Sequence, residues 1–206
     1  MKELPNPTFA LSPIELPRGL LHRSSRAIPA AIDVRSAPAT IQVSWARHQD
    51  EVREAQRLRY QVFAVEMGAR LDCKIPGHDI DFFDDYCEHR LVRDEATQEV
   101  IGTYRALTPI QAKRAGSTYS DLEFDLTRLR SLRSRMVELG RSCVHAEHRQ
   151  GAVILALWGA LAQFMSRNQL DTMIGCASIP MQHSGTPNGH AAASIWRPLT
   201  GMSRRV

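Results

Sequence analysis

Apolar and polar positions alternate at Ile41, Val43 and Trp45 against Gln42, Ser44 and Ala46, a period of two that predicts a short strand. Val52, Ala55, Leu58, Val62 and Val65 then recur at helical spacing, predicting a helix capped by Asp50 and running to about Met67. Arg59 and Phe63, four apart, share one face of it. Residues 68–85 lose this periodicity and collect Gly68, Pro76, Gly77, Asp79, Asp81, Asp84 and Asp85, a long acidic loop of the kind that often carries function. Arg90-Leu91-Val92 and Val100–Arg105 flank the polar turn at 95–98 and read as a hairpin. A helical turn at Ile110–Ala115 and a short helix or turn at Thr127–Arg135 lead to a strand over 136–144. A helix over 151–168, a strand over Thr172–Ser178 and a short helix over Ala191–Trp196 complete the pattern.

The order β-α-β-β-(α)-β-α-β predicts an α+β (mixed α/β) fold around a largely antiparallel sheet. No Gly-x-Gly-x-x-Gly follows the first strand, so a dinucleotide fold is not expected. Six of the eleven prolines fall within residues 1–40, which read as a disordered leader preceding one domain over 41–206. Residues 150–166 carry no charge, but they include two glutamines and are short for a bilayer span; a buried core helix is the better reading. No secretory signal is visible.

The formal charge of +4 is mildly basic. Arg128, Arg130, Arg133 and Arg135 cluster without an acid between them, which suits an acidic protein or phosphate surface. No aromatic interleaving accompanies them, so nucleic acid is disfavoured. The four cysteines lack a close pair, which fits reduced thiols in a cytoplasm and argues against zinc held by Cys73, His78, Cys87 and His89.

Glu138 and Arg141 lie three apart on the 136–144 strand, where strict alternation would send them to opposite faces. A bulge at Gly140 would re-aim them and free backbone N–H groups; an exposed ion pair is the alternative. The following Arg149-Gln150-Gly151-Ala152 junction opens a helix and suits a phosphate.

Together Arg59–Phe63, Asp81–His89, Ile101–Arg105, Glu138–Val144, Arg149–Ala152 and Ile174–Ile179 resemble the GNAT acyltransferase superfamily. Within it they resemble the autoinducer-synthase-like branch, most closely the ornithine-lipid N-acyltransferases, over about Val43 to Trp196. The resemblance implies transfer of a 3-hydroxyacyl chain from acyl carrier protein, or from coenzyme A, to the α-amino group of ornithine, giving lyso-ornithine lipid. It implies no resident cofactor and no metal, and a cytoplasmic protein in peripheral contact with the inner membrane face. It places Glu138, Arg141, Asp84 and Arg105 in the reaction, Arg59, Phe63 and Asp81 at the substrate, and Val144, Arg149, Gly151 and Ala152 at the donor phosphate and pantetheine. Rival readings are an acetyl-CoA-dependent GNAT acting on another amine, a homoserine-lactone synthase using S-adenosylmethionine, and an inactive remnant. A fold of this type adds a helix and strands after Ser178, so the 28 remaining residues lead to the expectation of a truncated C-terminal part.

Overall fold

The computed structural model describes residues 40–149 and 151–178, with the backbone of 182–183 and 186–187. The proline-bearing leader and the expected helix at Ala191–Trp196 lie outside the described residues. Five strands, β1 (Ile41–Trp45), β2 (Glu88–Asp94), β3 (Val100–Leu107), β4 (Met136–Val144) and β5 (Thr172–Ile174), form one sheet in that order. The first three pairings are antiparallel and β4–β5 is parallel, so the expectation of a largely antiparallel sheet holds. A separate two-residue pair joins β6 (Gln182–His183) to β7 (Thr186–Pro187).

Helix α1 (Gln49–Tyr60) begins two residues earlier than its sequence suggests, with His48 as cap and Asp50 inside the first turn. Glu51 decides this: its carboxylate accepts from the backbone N–H of Arg47 at 2.6 Å and of His48 at 3.2 Å, closing amides that Asp50 would leave open. From Gln61 to Glu66 the helix widens into a π-helical turn, closed by Met67 N–H to the Val62 carbonyl at 3.0 Å.

Helix α4 (Ala152–Arg167) lies on one face of the sheet, where Val153, Leu157, Leu161 and Phe164 pack with Val92, Tyr104, Val137 and Val144. On the other face, α1 and its π turn bury Leu58, Val62 and Phe63 against Cys143. The uncharged segment is a core helix, as expected, that buries one face and leaves Leu155 and Trp158 exposed on the other. Gly102 lets α4 come close: a Cβ there would stand 2.6 Å from Val153 Cγ1. No helix among the described residues is long and apolar enough to cross a membrane.

Between β3 and β4 come α2 (Pro109–Ala115), α3 (Ser120–Glu123) and a 3₁₀ segment (Thr127–Arg135). Strand β5 stops four residues before the expected Ser178. Gly175 lies so near β4 that a Cβ would stand 2.8 Å from the Leu139 carbonyl oxygen, and Cys176 turns toward Ser120.

Strand β4 carries the expected bulge. Thr103 faces Cys143 and Arg105 faces Gly140, so three steps on β4 oppose two on β3. The left-handed residue is Arg141, with φ of 51°, while Gly140 gives room, since a Cβ there would meet Arg105 Nε at 3.3 Å. The extra residue flips the alternation: Val137 and Leu139 face α4 before it and Val144 after it. Glu138 and Arg141 thereby share the α1 side of the sheet.

Candidate active site

Three arginines and three aspartates from four segments meet on the α1 side. Arg59 donates from Nε to Asp79 Oδ2 at 3.0 Å and from both terminal nitrogens to Asp84, at 2.9 and 2.7 Å. Arg105 on β3 donates to Asp84 Oδ1 at 2.8 Å and also to Asp81. Arg141 on the bulge places Nη2 3.2 Å from Asp81 Oδ2 and Nε 2.9 Å from Asp79 Oδ2; the latter contact is an ion pair without hydrogen-bond alignment. Gln56 Nε2 adds a hydrogen bond to Asp84 at 2.9 Å. The 3₁₀ turn Phe82–Asp85 holds the acids in place, with Asp81 as its cap accepting from Phe83 N–H at 2.9 Å.

The charges cancel, as buried charges must. Burial works to raise the Asp84 and Asp81 carboxyls, and the guanidiniums of Arg59 and Arg105 outweigh it and hold both below the usual range. Burial lowers His89, whose Nε2 lies 3.0 Å from the Asp84 carbonyl oxygen. Exposure is graded across the cluster. Side chains of Arg59, Asp79, Asp84 and Arg105 are at most 4% exposed, whereas Arg141 is 15% and Asp81 22% exposed. The cluster therefore reaches solvent at Asp81 and Arg141.

Glu138 lies outside the network. Its carboxylate accepts from Tyr119 N–H at 2.7 Å, from Ser120 N–H at 2.6 Å and from the Ser120 hydroxyl at 2.5 Å. Neither an exposed pair nor a contact with Arg141 describes it; it ties the start of α3 to β4. Tyr119 connects the two centres: the Arg141 guanidinium stands 5.9 Å from its ring centroid, and its ring meets Phe83 edge-on at 6.1 Å. Burial first, and a hydrogen bond to Glu123 second, push the Tyr119 hydroxyl up to about 12.

At the β4–α4 junction, Gly151 caps α4 with φ of 97°. Amides of the first helical turn have no intrahelical acceptor, so Ala152 opens a concentration of free N–H groups and positive dipole. Arg149 is already engaged, donating to Glu66 at 2.5 and 2.7 Å and to the Val144 carbonyl at 3.1 Å. Val144 and Phe63 are core residues, 3% exposed each. Among the described residues, the group with metal-ligand atoms within 4.8 Å of one another is His145, Glu147 and His148, a partly exposed turn. The Cys73, His78, Cys87 and His89 quartet forms no such group.

A model of the acetyltransferase (GNAT) domain matches residues 58–159, which hold Arg59, the acidic loop, β3, β4 and the start of α4. A Rhodobacter capsulatus protein named L-ornithine N(alpha)-acyltransferase is 36% identical over 181 residues, 81% of this chain and 64% of that protein. The chain carries a GNAT acetyltransferase domain. A Brucella abortus protein of the same name is 38% identical over 161 residues, 74% of this chain and 56% of that protein. The chain thus spans less than two thirds of the length of these curated relatives. The crystal structure of the AHL synthase LasI overlaps with a TM-score of 0.49 at 21% identity, covering 66% of this chain and 70% of that one.

The geometry brings together five of the residues singled out from sequence: Arg59, Asp81, Asp84, Arg105 and Arg141. It adds Asp79, Gln56, Tyr119 and Ser120, which sequence reasoning missed. Asp79 was visible as one acid of the loop; nothing in the local pattern marked the other three.

Proposed function

We propose that the chain is an N-acyltransferase that moves a 3-hydroxyacyl group from an acyl carrier protein thioester to the α-amino group of ornithine, giving lyso-ornithine lipid. The amine nitrogen attacks the thioester carbonyl, the new N–C bond forms, and the carrier thiol leaves when the tetrahedral intermediate collapses. What carries this reading is the partly exposed end of an otherwise buried charge network, in a chain whose relatives are named for ornithine acylation. An amino acid with a second ammonium suits that end: Arg141 meets its carboxylate and Asp81 its side-chain cation. Asp84, Arg59 and Arg105 hold Asp81 and Arg141 in place, and Phe63 backs the α1 face that presents Arg59.

A protonated amine cannot attack, so a carboxylate must take its proton. Glu138 fills that role: Oε2 has one donor in place and keeps accepting capacity toward the amine, directly or through one water. N–H groups at the bulge stabilise the oxyanion. The donor phosphate rests on the first turn of α4 at Gly151 and Ala152, and Arg149 reaches it by exchanging Glu66 for phosphate. The carrier is acyl carrier protein in preference to coenzyme A, and the protein works in the cytoplasm at the inner membrane face.

The test is thiol release and N-acylornithine formation by the purified chain, with carrier-protein and coenzyme A thioesters compared. D81N raises the KM for ornithine about tenfold or more, and E138Q lowers kcat about a hundredfold, with circular dichroism separating that loss from unfolding. Wild-type kinetics in both variants would remove these residues from the reaction.

A further inference from the structure

The stretch between β3 and β4 holds six of the chain's cations against three acids, a net +3 of the whole chain's +4. The three acids are all occupied. Asp121 accepts from Arg133 at 2.9 Å and from the Thr118 hydroxyl at 2.8 Å, Asp125 accepts from the Thr127 hydroxyl at 2.6 Å, and Glu123 bonds Tyr119. Exposed Lys113, Arg128 and Arg130 have no carboxylate partner among the described residues. Two cavities of about 360 and 410 Å³ adjoin here, sharing Asp121, Arg130 and Arg133; Lys113 lines the first and Phe124 the second. Phe124 and Leu122 stand 59% and 66% exposed on the same segment.

We propose that this cleft is a docking surface for anionic phospholipid, with Lys113, Arg128 and Arg130 on headgroup phosphates and Leu122 and Phe124 entering the acyl boundary. Unpaired cations beside exposed apolar side chains are what an anionic membrane interface receives, the cations by surface potential and the apolar groups by burial. An acidic protein surface accounts for the cations alone. The lipid interface accounts for both. Arg133 is not part of the contact: locked to Asp121, it holds the 3₁₀ segment against α3. The inference names the face and ligand chemistry of the membrane contact included in the reading above, and it stands without the acylation chemistry, because it is measured with no substrate present.

The experiment is co-sedimentation of the full chain with vesicles of phosphatidylcholine alone and of phosphatidylcholine mixed with phosphatidylglycerol. Binding is expected only to the mixed vesicles and is expected to weaken with salt. The triple variant K113A/R128A/R130A lowers that binding roughly a hundredfold, and F124S lowers it about fivefold or more. All four positions are exposed, so both variants keep the wild-type thermal midpoint. Equal binding to both vesicle types overturns the assignment, as does a triple variant that binds like wild type. If the triple variant binds vesicles normally and loses only acyl carrier protein, the surface belongs to a protein partner and the lipid assignment falls.

Discussion

Replacing Asp84 with asparagine tests whether the charge network holds the fold. The Asp84 carboxylate accepts from both terminal nitrogens of Arg59, from Gln56 Nε2 and from Arg105 Nη1, all within 2.9 Å, and its side chain is 3% exposed. Asparagine keeps the volume but removes the charge, and turns an amino group toward at least one of these donors. Arg59 and Arg105 then stay buried with a net positive charge between them. Removing one partner of a buried ion pair costs about 3–5 kcal/mol, a large part of the roughly 5–15 kcal/mol that holds a domain together. Urea denaturation followed by circular dichroism measures it. The double variant D84N/R59M should be less destabilised than the sum of the single variants by about 2 kcal/mol, because no stranded guanidinium remains at Arg59. The exposed pair Arg135–Asp171, 3.0 Å apart, is the control, and D171N should stay within about 0.5 kcal/mol of wild type. A D84N cost below about 1 kcal/mol, the range of surface pairs, would refute the reasoning.

Stability should also fall with acid in two stages. His89 is lowered by burial, so the unfolded chain takes up its proton first, and that contribution is present above about pH 6.5 and lost as pH falls. Asp81 and Asp84 are held below their ordinary values, so theirs is full above about pH 3.9 and lost below it; a urea midpoint that stays flat to about pH 3 would contradict both. G102A should cost about 1–3 kcal/mol by pushing Val153 and α4 off the sheet, with V153A recovering part of the loss; equal stability would mean that α4 does not seat there. Burial pushes the Cys143 thiol up to about 12, so a disulfide reagent should label Cys143 only on global unfolding, and rapid labelling in native buffer would contradict its core position.

The elements that the hydrophobic period marks, β1, the β2–β3 hairpin, β4 and α4, were legible because each buries one face against a neighbour. Legibility failed where tertiary contacts decide. The α1 start moved to His48 because Glu51 turned back on it, and β5 shortened where Gly175 presses on Leu139. Glycine at 140 correctly signalled a bulge, although the strained backbone itself sits at Arg141. The ion-pair partners could be guessed by type. Their pairing could not, since Arg59 reaches Asp79 and Asp84 across 20 and 25 residues of chain whose path only the folded loop fixes. Glu138 shows the same limit: its partners are the cap and first residue of a four-residue helix with no apolar period of its own.

We place ornithine at Asp81 and Arg141, beside the thioester. Mass spectrometry of the purified chain incubated with 3-hydroxyacyl carrier protein and ornithine tests this placement most directly. N-acylornithine is expected to form only when both substrates are present and to fall sharply in D81N. A folded chain that binds the thioester and yields no ornithine-dependent product would contradict it.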